Sequence, residues 1–273
     1  MEKSTFQQKL LAWYQKNKRD LPWRKTIEPY AILVSEMMLQ QTQVERVIPK
    51  YNAFLAQFPT KEALAAASPG EVLSAWSGLG FNRRALHLHK IAKHVNIPTT
   101  PESLRLLKGI GEYTSRAVAS FAYNYPVAVV DINVKRVYSR IFGSCDINDI
   151  AQELLPSDSR TWNNAIMDFG AMVCIAENPL CFSCPFSSSC RAFAVVKDPR
   201  KIIPIAAPPQ SKFLGSRRYY RGQLLKLLKE KTEVEIIELQ TIWKKKEKWV
   251  KELVTTMEKE GLVKSNNEVI RFP

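Results

Sequence analysis

Two carboxylates, a pair of glycines and four cysteines are the residues of this 273-residue chain whose types and spacing could do chemistry. Glu36 lies in ILVSEMML, flanked by Ile32, Leu33, Val34, Met37, Met38 and Leu39. A carboxylate in such company is costly to bury ionised and unpaired, so its pKa is expected to rise towards that of a proton donor. Gln40, Gln41 and Thr42 follow it and offer hydrogen-bonding groups suited to the mouth of a polar pocket. The plainer alternative is a Glu on the wet face of an amphipathic helix. Asp131 ends the apolar run AVVD and precedes a basic helical pattern, NVKRV. Twenty residues earlier, Gly109 and Gly111 punctuate LKGIGEYT. Glycine allows positive φ and close backbone approach. The helix that opens with Glu112 and Thr114 has first-turn N–H groups able to receive a phosphate oxygen. An ordinary helix–turn–helix corner carries the same GIG pattern; a phosphate clamp followed by a poised acid is the more informative pairing.

The cysteines give the strongest signal. Cys174-x6-Cys181-x2-Cys184-x5-Cys190 packs four of the chain's five cysteines into 17 positions. Zinc sites and iron–sulfur clusters both use such sets. Zinc cysteines usually come as two CxxC knuckles, and here there is one, with loops of six and five residues around it that can wrap a cuboidal cluster. Cys145 is left over and is expected to be a small buried side chain.

The elements that must position these groups are helical. Ser4 to Asn17 reads as an amphipathic helix with Phe6, Leu10, Trp13 and Tyr14 near one face, broken at Pro22. A second helix is expected from about Pro29 through ILVSEMMLQQTQ (32–43), with Glu36 within it. Further helical patterns cover Gln43–Phe58, Lys61–Ala67, Glu71–Trp76 and Arg83–His94, separated by FPT, SPG and GLG. Strand alternation is not evident before residue 195, and Val127–Val130 reads as a short buried approach to Asp131. His87, His89 and His94 are expected to face solvent. The net charge of +14, from 40 Lys+Arg against 26 Asp+Glu, favours a polyanionic partner. No apolar run is long enough for a bilayer and the N-terminus is unlike a signal peptide, so a cytoplasmic (nucleoid-associated) protein with thiolate ligands rather than disulfides is expected.

In RDLPWR (19–24), PYAILVSEMMLQQTQVERVIPKY (29–51), GLGFNRR (78–84), LKGIGEYT (107–114), VDINVKRV (130–137), MDFGAMVC (167–174) and the four cysteines, residues 5 to about 195 resemble the MutY-type adenine DNA glycosylases of the helix–hairpin–helix, endonuclease III superfamily. The resemblance implies a mostly α, two-lobed helix–hairpin–helix glycosylase fold, and a [4Fe–4S] cluster on Cys174, Cys181, Cys184 and Cys190. It implies extrusion and hydrolytic removal of adenine mispaired with 8-oxoguanine or guanine in double-stranded DNA, by a monomer. Glu36 would protonate the purine ring and Asp131 would stabilise or capture the oxocarbenium-like sugar, with Asn133 beside it. Tyr113 stands where lyase-competent relatives carry a Schiff-base lysine, so strand cutting is not expected. Gln41 matches an intercalating wedge and Thr42 a contact near the opposite base; Gln40 belongs to the same stretch. Arg19, Leu21, Trp23, Arg24 and Leu39 match positions around the adenine pocket, though core or surface anchoring would account for them as well.

The chain also departs from that pattern. Phe81 and Asn82 stand where two tyrosines are usual; Phe81 can still wedge. Asn164 replaces the usual Glu or Gln near the adenine, and Arg116 a small residue. After the cysteines too few residues remain for the Nudix-like domain such proteins append. A Pro-rich linker (198–215) instead leads from the glycosylase region (1–197) to residues 216–273, where three helical patterns (RGQLLKLLKEK, VEIIELQTIWKK and KEKWVKELVTTMEKEGLV) and a terminal strand-like NEVIRFP resemble a small winged-helix domain. That segment carries 14 Lys+Arg against 9 Asp+Glu. Its third helix, with Lys244 to Lys251 at its start, could lie in a DNA groove; a protein-interaction module is the alternative. A mismatch thymine or uracil glycosylase and a non-catalytic DNA-binding protein on the same scaffold are the competing functional readings.

Overall fold

The computed structural model describes residues 2–143, 146–206, 211–266 and 268–273. Cys145 and residues 207–210 of the Pro-rich stretch lie outside the described residues. In chain order the helices are α1 (Lys3–Asn17), α2 (Pro29–Leu39), α3 (Val44–Gln57), α4 (Lys61–Ala66), α5 (Pro69–Trp76), α6 (Arg83–Ala92), α7 (Pro101–Arg105), α8 (Glu112–Tyr123), α9 (Ile132–Phe142), α10 (Ile147–Glu153), α11 (Ser159–Met172) and α12 (Arg191–Val196). Then come α13 (Arg217–Lys231), β1 (Glu233–Glu235), α14 (Ile236–Trp243), α15 (Glu247–Lys259), β2 (Lys264–Asn266) and β3 (Val269–Arg271). No strand precedes β1 among the described residues, and none of the helices is long and apolar enough to cross a membrane. Two compact units result: Met1–Ile32, Pro98–Leu106 and Ile110–Pro209 in one, Leu33–Ile97, Leu107–Gly109 and Gln210–Pro273 in the other.

The first unit is an aromatic-centred helical core. The apolar face of α1 places Phe6 within 4.7 Å of Phe186, 5.3 Å of Phe142 and 5.7 Å of Trp162, ring centre to ring centre. Trp13 packs edge-on to Phe169 of α11 at 5.2 Å. Phe186 sits between Cys184 and Cys190, so the cysteine loop is pinned to this core by its own buried ring. α9 and α11 pack against each other, and Gly170 lets them come close: a Cβ there would lie 2.9 Å from Asn133 Cβ.

In the second unit α3, α5 and α6 share a core of Val47, Phe54, Val72, Trp76 and Leu88, all fully buried. The SPG break proves to be a helix start: Pro69 opens α5, and Ser68 with Glu71 forms a reciprocal capping box. His89 is buried, against the expectation for a solvated basic helix, because it lies on the inward face of α6 with Ala85, Leu88 and Ala92. The C-terminal segment packs α13 against α5, and Phe272 comes within 2.9 Å of where a Cβ on Gly70 would be. Its three strands form an antiparallel sheet in the order β1-β3-β2, with Val234 and Ser265 both opposite Ile270. Two strands were hidden in the sequence pattern. β1 occupies the start of the expected second helix and β2 follows the end of the third, since three-residue strands bury too few side chains for a period of two to stand out.

Candidate active site

Asp131 is the N-cap of α9: its Oδ1 accepts the Val134 N–H at 2.7 Å. Its Oδ2 accepts Asn133 Nδ2 at 2.8 Å, so both oxygens are held. Asn133 Oδ1 in turn accepts Arg136 Nη2 at 2.8 Å. The same guanidinium donates to Gly170 O at 2.7 Å and, through Nε, to Cys174 O at 2.7 Å. Upstream, the approach to Asp131 hangs on Asn163, whose Oδ1 accepts Val129 N–H and whose Nδ2 donates to Val127 O, both at 2.9 Å. Asn163 and Arg136 escaped the sequence reading. A polar residue on the buried face of α11, beside Trp162 and Ile166, was the available signal. Asn164, the residue singled out instead, is half-buried one position on.

Glu36 lies on α2 with 4% of its surface exposed, among fully or nearly fully buried Leu33, Val34, Met37 and Met38. It is therefore not on a wet face. α2 ends at Leu39, short of the expected Gln43, because Gln40–Thr42 form a turn closed by the Thr42 N–H on Leu39 O at 3.2 Å, with Gln41 at a left-handed φ of 56°. Phe81, on the loop Gly78–Phe81, also has positive φ (47°) and is 42% exposed. Arg84 joins the two turns; its guanidinium donates to Met37 O and Gln40 O at 2.6 Å and to Gly80 O at 3.2 Å. Only its place in GLGFNRR was noted from sequence.

The two hairpin glycines differ. Gly109 has a φ of +95°, and a Cβ there would lie 2.2 Å from His87 Nδ1, so glycine is required on both counts. Gly111 is in ordinary extended backbone (φ −89°, ψ −178°), with nothing within 4 Å of its missing Cβ. Its part is to leave open space at the N-terminus of α8, where it brings no capping side chain. Tyr113 is half-buried in the first turn of that helix. Arg116, the unusual residue, pairs with Glu112 at 3.0 Å.

Arg19 and Arg24 converge on Asp168 of α11, which has no exposed surface. Arg19 Nε reaches Oδ1 at 2.6 Å, and Arg24 donates through Nη1 and Nη2 at 2.5 and 2.8 Å. Burial alone would raise the Asp168 pKa, but the hydrogen bonds and charge of Arg24, with Arg19, outweigh it and hold the carboxyl below its usual value. Both arginines thus act as structural anchors of the RDLPWR turn, with Leu21 and Trp23 buried beside them. Leu39 is half-buried at the end of α2.

The four cysteines line one cavity, walled otherwise by apolar side chains such as Phe169, Leu180, Phe193 and Ile202, with Arg140 at its edge. All four are free thiols. Arg140 Nη1 lies 3.6 Å from Cys174 Sγ, and the Phe186 N–H donates to Cys184 Sγ at 3.4 Å. Burial pushes the Cys181 thiol up to about 11 and that of Cys184 to about 12. A soft, all-sulfur donor set in a dry cavity beside a guanidinium fits a thiolate-bound metal group. Among the described residues no three ligating side chains meet closely enough to hold a single ion.

Between residues 34 and 156 the chain matches the family described as HhH-GPD superfamily base excision DNA repair protein. The adenine DNA glycosylase of Mycolicibacterium smegmatis is 41% identical over 255 residues, covering 86% of this chain and 84% of that one. The rat adenine DNA glycosylase is 42% identical over 215 residues, 69% of this chain but 42% of its own length. A thermostable thymine-DNA glycosylase of solved structure superposes with a TM-score of 0.67 at 28% identity, over 71% of this chain and 97% of that chain. This chain belongs to the adenine DNA glycosylases, enzymes of base-excision repair within the HhH-GPD superfamily.

Proposed function

We propose that the enzyme extrudes adenine mispaired with 8-oxoguanine or guanine from double-stranded DNA, hydrolyses its N-glycosidic bond as a monomer and leaves the strand uncut. The observation that carries this reading is the double hold on Asp131 by the Val134 N–H and the Asn133 amide. A carboxylate whose two oxygens both accept hydrogen bonds is held in one orientation, in which it can stabilise or add to an oxocarbenium-like sugar. Glu36, in its apolar surroundings, is the proton donor to the purine ring and then positions water. Gln41 and Phe81 enter the stack, with Thr42 near the opposite base, and the open N-terminus of α8 beside Gly111 receives a phosphate. Tyr113 in place of an amine supports hydrolysis without a Schiff base. The thymine or uracil reading has one support, the solved thymine-DNA glycosylase; the higher identity to adenine enzymes over most of the chain favours adenine.

Cys174, Cys181, Cys184 and Cys190 would hold a [4Fe–4S] cluster. Their shared place in the lining of one cavity, with a single CxxC pair and loops of six and five residues around it, supports a cluster held by all four. Bound there, it would cross-link residues 174–190 to one another through the four cysteines, while Arg140 and Arg136 of α9 already hold the carbonyls of Ile175 and Cys174.

The domain reading is a glycosylase region over 1–197, a linker over 198–215 and a winged-helix-like module over 216–273. The order helix, strand, two helices and a two-stranded wing supports the last part. On this reading the module meets DNA phosphates through the turn before α15. Lys244, Lys245 and Lys246 cluster there, Lys245 lying over the rings of Tyr220 and Trp249 at 5.4 and 5.6 Å. The outer face of α15 is less suitable, because Arg217 pairs with Glu252 and Lys251 with both Glu247 and Glu268.

The test replaces each acid by its amide. Glu36→Gln and Asp131→Asn are each expected to lose base release while still binding the mismatched duplex. Turnover retained by either variant would remove that acid from the mechanism.

A further inference from the structure

Arg84 is 7% exposed, and burial lowers its pKa to about 10. It also stands in the first turn of α6, where the helix dipole disfavours a cation. Both costs need an offset, and it comes from carbonyl oxygens. The last carbonyls of α2 have no partner within the helix. Nη1 takes Met37 O at 2.6 Å and Met38 O at 3.2 Å, and beyond them Gln40 O at 2.6 Å. Nη2 reaches Gly80 O at 3.2 Å and Thr42 Oγ1 at 3.4 Å, while Nε reaches Phe81 O at 3.4 Å. The guanidinium carbon lies 5.2 Å from the Phe81 ring centre and 5.6 Å from that of Trp76. One planar fork therefore closes two turns at once, each built round a non-glycine residue with left-handed backbone, Gln41 and Phe81.

We propose that Arg84 is a positioning residue for base extrusion. It fixes the Gln41 and Phe81 turns as one rigid edge, and it anchors the end of the helix that carries Glu36. The two side chains then enter the duplex as a unit instead of independently. This rests on the reading of Gln41 and Phe81 as wedges. Arginine is required because its donors diverge in a plane and reach both turns; a lysine ammonium, as a compact point on a flexible stem, satisfies one turn at a time.

The test is a double-mutant cycle on Gln41→Ala and Phe81→Ala in the otherwise native enzyme, repeated in an Arg84→Lys background. Single-turnover adenine release is measured, with the fluorescence rise of 2-aminopurine at the target position as a direct readout of extrusion. In the native background each single change is expected to slow release by on the order of tenfold to a hundredfold, and the double change by little more than the worse single. In the Arg84→Lys enzyme the coupling is expected to vanish, the two effects multiplying, with thermal melting used to show that this variant is folded. Effects that multiply in the native background, or coupling unchanged without the guanidinium, would overturn the proposal. Where the Lys variant does not fold, Arg84→Gln, read in the same cycle, takes its place. If neither alanine alters release or fluorescence, the wedge reading itself fails and takes this proposal with it.

Discussion

Asn133 Nδ2 donates to Asp131 Oδ2 at 2.8 Å, two residues apart at the start of α9, while the Asn133 carbonyl oxygen is held at 2.8 Å by Arg136. The amide can thus present only its NH2 group to the acid, and the orientation of the carboxylate is set by a guanidinium that never touches it. Removing the amide leaves Asp131 with its cap to Val134 but free to swing its second oxygen. Asn133→Ala is expected to slow single-turnover release by about tenfold to a hundredfold, the scale of a misaligned reacting group. Duplex affinity, measured by titration of labelled DNA, should change little. An unchanged rate would mean that the cap alone orients the acid.

Asp168 is expected to dominate stability in its neighbourhood. Asp168→Asn leaves Arg19 and Arg24 without their anion in a buried setting, a loss of about 3–5 kcal/mol in urea unfolding. The sign of its pH dependence follows from its lowered pKa. Its contribution is complete above the unfolded carboxyl's pKa and disappears as pH falls through the lower, folded value. Native protein should therefore lose melting temperature on acidification below about pH 4 more steeply than Asp168→Asn. Parallel curves would deny the pair its role.

The cysteine cavity makes a compositional claim. Purified native protein should contain iron and inorganic sulfide in equal amounts and absorb visible light. Cys184→Ala should lose both the metal and the colour. Zinc at one atom per chain would contradict the cluster reading.

Tyr113 offers a gain-of-function check on the hairpin. Tyr113→Lys is expected to give some borohydride-trapped protein–DNA adduct, where the native enzyme gives none. Its absence in a variant that still releases adenine would place residue 113 away from the sugar.

Much of the site was legible because it depends on local pattern. The apolar flanks of Glu36 pointed to a carboxylate out of water, the acid closing AVVD stood before a helical pattern, and four close cysteines pointed to one shared site. What stayed hidden depends on pairs far apart in the chain. Arg19 and Arg24 find their carboxylate on Asp168, about 145 residues away, and no spacing rule links them. Arg84 looked like its exposed neighbour Arg83, because only the folded positions of two turns distinguish them. Gly109 and Gly111 looked equivalent, yet only the first has positive φ. In the C-terminal segment, strands of three residues gave no period to read.

Base release in single turnover from four duplexes tests the central claim most directly: adenine opposite 8-oxoguanine, adenine opposite guanine, thymine opposite guanine and uracil opposite guanine, each read with and without alkali. Strand breaks that require alkali and occur only in the two adenine duplexes are expected. Release of thymine or uracil in place of adenine, or strand cutting without alkali, would contradict the account.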